Sequence, residues 1–214
     1  MSHLKVFAFF VSILAISVMA APQGGKVRSV LGDVSYQKKG KSNWTALRVG
    51  AKVQDGYMIQ TYTESGVQIA LPDASVISIE ENALVEFSQV KFDRDTRISD
   101  VKILKGLLRF DAQKQKGNST FAFRTGTMTA SIRGTDGTIG LTEGGQPYGA
   151  LNTGEMVMEN NGQEVSVKAQ QFVAFRKDKP AVVIDAKNAS DPEFVKKLGE
   201  ALDDTTKSDE AIQA

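Results

Sequence analysis

The chain has 214 residues, no cysteine, and a single histidine, His3. Without cysteine there are no disulfides, no thiolate nucleophile and no zinc–thiolate site, whatever the redox compartment. With the only imidazole at the extreme N-terminus, Ser–His and Cys–His catalysis lose their usual base. Charge of one sign is also missing, since 26 Lys and Arg face 25 Asp and Glu. That balance gives no electrostatic reason to expect nucleic acid or an anionic membrane as a partner. Long apolar runs are absent too. The one candidate, Val6–Val18, is broken by Ser12 and Ser17 and is short for a bilayer span.

That short run has the build of an export signal. Lys5 and the amino terminus supply a positive start, and Val18-Met19-Ala20 offers small or short residues at a cleavage site, predicting a signal peptide over 1–20 cut before Ala21. No cysteine follows to carry a lipid anchor. The expectation is a soluble, periplasmic or secreted protein with no membrane span after cleavage. Cleavage would remove Lys5 and no acid, leaving the charges balanced. About 190 residues would remain, enough for one domain with a substantial core.

From Lys26 to Asp185 glycines punctuate short stretches in which apolar residues alternate with polar ones. Val67, Ile69 and Leu71 form one such set; Ile77 and Ile79, Val85 and Phe87, Val101 and Ile103, Phe121 and Phe123, and Val165 and Val167 form others. Period-two alternation is the mark of half-buried strands. The joints carry turn chemistry: Pro72-Asp73, Gly144-Gly145-Gln146-Pro147, and Asn161-Gly162, a pair suited to a two-residue hairpin. Lys38-Lys39-Gly40-Lys41 reads as a solvated hairpin tip. The fold class is therefore all-β over 21–186, a multi-stranded sandwich or roll, or a β-solenoid; no fixed repeat period decides between them. At 187–214 the pattern changes. Ser190-Asp191-Pro192-Glu193 is a helix start signal, and Phe194, Val195, Leu198, Ala201 and Leu202 share one helical face, predicting a short C-terminal amphipathic helix and a polar tail.

Few residues carry chemistry. Glu80-Glu81 and the Asp93/Asp95 pair are the carboxylates placed for glycosidase-type work, but both sit in charged turns where solvated side chains are the ordinary case. No calcium loop or other cofactor motif is present, and the expectation is a protein without catalytic, metal or cofactor-binding residues. The run Thr125–Thr138 starts as a strand and breaks at Arg133, Gly134 and Thr135. Arg133 could read a ligand carboxylate with its planar fork, or, if buried, pin a loop by donating to backbone carbonyls, the favoured alternative. Gly134 would supply a backbone shape that a side chain blocks. Trp44, Tyr57 and Tyr62 are candidates for stacking on a sugar or a partner surface, and Trp44, placed before a strand turn, suits a core wedge equally.

The order of these steps resembles the FecR-domain family from Gly25 to about Val183. Gly25-Lys26-Val27 with Gly32-Asp33-Val34, Trp44–Leu47 followed by Gly50, Gln54–Thr61, the Pro72–Ser75 turn, Gly106–Phe110, Phe121–Thr135, Asn152–Val157 and Val167–Val173 follow the family's sequence of short strands and glycine turns. Ala74 and Gln170 stand where that pattern usually has glycine, Gly126 where it often has proline, and Asp136-Gly137 where an acidic residue and an aromatic are usual. The resemblance implies a non-catalytic binding, scaffold or signalling module of the bacterial envelope. Its implied partner is an envelope or outer-membrane protein, with a cell-wall glycan as the alternative. Members that relay sigma-factor signals carry a cytoplasmic anti-sigma region and a transmembrane helix before the domain. Neither is read in this chain, which implies a free exported FecR-like domain.

Overall fold

A computed structural model describes residues 24–93, 96–115, 117 and 119–185. The signal peptide and the C-terminal helix expected from the sequence lie outside the described residues. Within them the protein is all-β, two nine-stranded sheets packed face to face. In chain order the strands are β1 (Gly25–Leu31), β2 (Val34–Gln37), β3 (Thr45–Ala46), β4 (Lys52–Val53), β5 (Tyr57–Thr61), β6 (Gly66–Ala70), β7 (Val76–Ile79), β8 (Leu84–Phe92), β9 (Arg97–Lys105), β10 (Leu107–Asp111), β11 (Thr120–Arg124), β12 (Met128–Ile132), β13 (Asp136–Leu141), β14 (Pro147–Thr153), β15 (Glu155–Asn160), β16 (Gln163–Lys168), β17 (Gln171–Arg176) and β18 (Lys179–Asp185).

Sheet A runs β4-β1-β6-β7-β10-β13-β14-β17-β18 and sheet B runs β3-β2-β5-β8-β9-β11-β12-β15-β16. Both grow from one end of the molecule to the other as the chain proceeds, so the architecture is a sandwich laid down in sequence order. One rule accounts for every pairing: each strand reverses the direction of the strand before it. Sheet neighbours an odd number of strands apart are then antiparallel. Only β9 and β11, two apart with the single strand β10 between them in the other sheet, come out parallel, as observed.

The alternation seen in the sequence points one set of side chains from each sheet into the shared core. Val27, Ile69, Ile77, Leu108, Ile139 and Val173 come from sheet A, and Ile59, Val85, Phe87, Val101, Phe123 and Ala130 from sheet B, none more than 1% exposed. Phe110 meets Phe123 across the layers with ring centroids 5.0 Å apart. Such burial supplies the fold's main stabilisation, in the absence of disulfides. β8 continues past the alternation at Phe87 because a register shift between Phe87 and Gln89 moves the buried phase to Val90 and Phe92. Asp55 holds that bulge, its Oδ1 accepting the Val90 N–H at 2.6 Å.

The turns follow their residues. Asn161 and Gly162 both have positive φ (50° and 81°), closing the β15–β16 hairpin in two residues. After β6, Pro72 begins a turn in which the Ala74 N–H donates to the Leu71 carbonyl (3.0 Å), and Asp73 Oδ1 accepts the Ser75 N–H (3.0 Å). Lys38–Lys41 forms the exposed tip between β2 and β3. Between sheets the chain needs far less. Gly106 alone separates β9 from β10, at φ +87°, and a Cβ there would fall 2.6 Å from the Ala83 Cβ.

Ala74 (φ 70°) and Gln170 (φ 62°), the two positions where the FecR-type pattern usually has glycine, are both left-handed. The backbone of that pattern is thus retained and the non-glycine residues bear its strain. Ala74→Gly is therefore expected to raise stability by about 0.5–1 kcal/mol, and Gly106→Ala to lower it by about 2–4 kcal/mol. Urea unfolding of both variants checks the opposed signs.

A second expectation concerns pH. Tyr148 in β14 packs near Phe172 (centroids 6.2 Å apart), and burial raises its phenol above the ordinary value. A raised folded-state pKa means stability that is full below the unfolded value of about 10 and is lost as pH climbs through the folded value. Tyr148→Phe should flatten the fall in melting temperature above pH 10.

Candidate functional site

A cleft of about 620 Å3 lies on the outward side of sheet B, over β9, β11 and β12. Its position follows from the one parallel pairing. The chain leaves β10 in sheet A and enters sheet B as β11, and Lys114, Gln115, Gly117 and Ser119 of the connection form one wall. Asp100, Ala122, Arg124 and Ser131 line it from the strands, with Lys114 and Arg133 also at its wall.

Three segments meet beneath that wall. The Ala112 N–H donates to the Thr135 carbonyl (2.9 Å), and the Gln113 N–H donates to Ser75 Oγ (3.0 Å). Gly134, at φ +66°, passes so close to Lys114 that a Cβ would lie 2.8 Å from the Lys114 Cα. Thr135 is buried, and its methyl would stand 2.3 Å from a Cβ placed on Gly154, the single residue joining β14 to β15. With no side chain, Gly134 lets the two backbones cross.

Arg133 does not hold the loop. It is exposed and makes no hydrogen bond or ion pair with a described residue. The chain at the break places Ile132 inward and Arg133 outward, so the arginine is never buried and needs no backbone acceptors. The pinning bond comes instead from the Thr135 carbonyl. Arg133 and Lys114 are left as two exposed cations at the cleft, neither paired with a described residue.

The cleft floor is organised by Arg124. Its Nε donates to Asp100 Oδ2 at 2.7 Å and its Nη1 to Thr129 Oγ1 at 3.0 Å, bridging β9 to β12 over β11. Asp100 Oδ1 is buried without a hydrogen-bond partner. The aspartate therefore depends on Arg124 for its charge balance. The described lining offers cations, hydroxyls and one carboxylate paired with Arg124, groups suited to hold an anion through charge and hydrogen bonds.

The aromatic candidates fall elsewhere and apart. Tyr57 stacks on Tyr36 (centroids 5.8 Å, planes 18° apart), which occupies one of its faces. Tyr62, at the other end of β5, is 44% exposed, with its hydroxyl 3.4 Å from Ser35 Oγ. Trp44, 39% exposed, precedes β3 at the N-terminal edge of sheet B. No ring contact joins the three, so they do not form a single stacking platform.

The carboxylates flagged in the sequence are engaged structurally. Glu80 pairs with Arg109 (2.8 Å), Glu81 Oε2 accepts the Glu64 N–H (2.8 Å), and Asp93 pairs with Lys91 (3.0 Å). Asp95 lies outside the described residues. Among the described residues no cluster of three or more His, Asp or Glu is placed to hold a metal. The Lys114 and Arg124 contributions were missed in the sequence, where a lysine in a crossing loop and an arginine in a strand carry no motif.

With this geometry in view, comparison with known proteins is direct. Residues 57–148 match the family model described as FecR protein. The matched segment contains most of the cleft and ends at the start of β14. Two crystal structures of a candidate anti-sigma factor from Parabacteroides distasonis ATCC 8503, at 1.65 and 2.50 Å resolution, superpose with a TM-score of 0.51 at 15% identity. The match covers 62% of this chain and 62% of that one, and at this identity it speaks for the fold. No curated protein matches the chain.

The Arg124 bridge is open to test. Arg124→Met should destabilise by about 1 kcal/mol, discounted for the exposure of the guanidinium. Adding Asp100→Asn should recover part of that loss, since the orphaned charge is then removed. A double-mutant cycle in urea measures the coupling.

Proposed function

We propose that the chain works outside the cytoplasm as a non-catalytic, FecR-like signalling or scaffold module of the bacterial envelope. Its partner is an envelope or outer-membrane protein, and the cleft over β9, β11 and β12 takes a carboxylate-bearing segment of that partner. The observation that carries this reading is the pair of exposed cations, Arg133 and Lys114, at the mouth of a cleft floored by hydroxyls and an internally neutralised Arg124–Asp100 pair. An arginine fork and a lysine free of internal partners are suited to a carboxylate. The FecR family match over 57–148 supports the signalling class, and the signal-peptide pattern at 1–20 supports the location.

Binding of an acidic peptide, followed by fluorescence polarisation, tests the cleft. Arg133→Gln with Lys114→Gln should weaken it by about tenfold or more, and salt should weaken it further. Crosslinking in envelope extract should identify one protein with the wild type and lose it with the double variant. Unchanged binding in that variant would contradict the reading. Retention on purified cell-wall polymer, lost with Trp44→Ala, would favour the glycan alternative instead.

A further inference from the structure

We propose that two copies of this chain pair through β16, antiparallel about Ser166, making sheet B continuous across a two-fold dimer. Among the described residues β16 ends that sheet and is bonded on one side only, to β15. The hairpin register decides what faces outward. Asn160 and Gln163 close the two-residue turn, so Gln163, Val165 and Val167 bond to β15, and Glu164, Ser166 and Lys168 turn their backbone groups to the free side. The Lys168 N–H is held by a side chain, Gln171 Oε1 at 2.9 Å. Glu164 and Ser166 have no backbone partner there among the described residues.

Charge selects the partner and the register. Within the hairpin Glu164 stands directly opposite Glu159, a like-charge pair, and neither Glu164 nor Lys168 forms an ion pair with a described residue. Charged side chains on an edge strand ordinarily repel additional strands. The run Glu164-Val165-Ser166-Val167-Lys168 is complementary to itself when reversed. A second copy centred on Ser166 sets its Lys168 opposite Glu164 and its Val167 opposite Val165, and the same contacts repeat by symmetry. The other edges are poorer templates. β3 and β4 have two residues each, and β18 carries Pro180.

The absence of native cysteine makes the register directly readable. Hydrogen-bonded cross-strand residues have Cα atoms about 5.5 Å apart, within disulfide reach. Ser166→Cys should oxidise to a covalent dimer, and Thr45→Cys, on the opposite edge, should form no covalent dimer. In sedimentation equilibrium of the purified protein, Lys168→Glu should weaken the dimer by about tenfold or more. The exchange Glu164→Lys with Lys168→Glu should restore it, with circular dichroism confirming that each variant is folded. A wild type that is monomeric throughout, a Ser166→Cys variant no better crosslinked than Thr45→Cys, or an exchange that restores nothing would overturn the proposal.

Discussion

The passage of Gly134 under the backbone of Lys114 is the constraint on which the middle of this sandwich depends. The crossing segment after β10 has to reach sheet B over the break between β12 and β13, and the space between the two backbones admits no side chain. The Thr135 carbonyl then fixes the crossing by accepting the Ala112 N–H, and the buried Thr135 methyl seats the glycine corner at Gly154. Three chain segments far apart in sequence are located by one tripeptide. Arg133, the member of it with the most obvious chemistry, is the one the packing does not use.

The same crossing explains why a cleft exists. In the rest of the molecule the chain reaches each sheet neighbour after an odd number of steps, and the ladders are antiparallel. At β10 it makes a single excursion into sheet A and returns, which forces β11 parallel to β9 and brings Lys114, Gln115, Gly117 and Ser119 to the cleft on the outer face of the sheet. The residues that line the cleft thus arise from topology. Lys114 is supplied by the connection, Asp100 and Arg124 by the parallel pair, and Ser131 and Arg133 by the strand beside them. Residues carried on strands and on a pinned crossing are held in place, the preorganisation that the proposed recognition of a carboxylate needs.

Much of the fold was legible because strand alternation is a local signal. Val67, Ile69, Ile77, Ile79, Phe121 and Phe123 read as inward positions, and all are buried. Asn161-Gly162 named its own turn. What period-two reading loses is phase: at Phe87 the alternation slips by one residue, and Val90 and Phe92 vanish from the pattern although both are core. Sheet order was not legible, since sandwich and solenoid share strand spacing and differ in non-local pairing. Of the site, Gly134 was readable as a backbone requirement. The exposure of Arg133 was not, because a position at a strand break has no alternation to assign its face. Arg124 and Lys114 gain meaning only when β9, β11 and the crossing segment are set side by side.

Hydrogen exchange at the Ala112 amide tests the central constraint most directly. In the wild type that N–H is expected to exchange about as slowly as the core ladder amides of β11 and β12, because its bond to Thr135 opens only with the crossing itself. Gly134→Ala should speed exchange at Ala112 and Gln113 by about tenfold to a hundredfold and leave the β6–β7 hairpin protected. Equal protection at Ala112 in the two proteins would show that the crossing does not depend on the missing side chain, and would contradict the account.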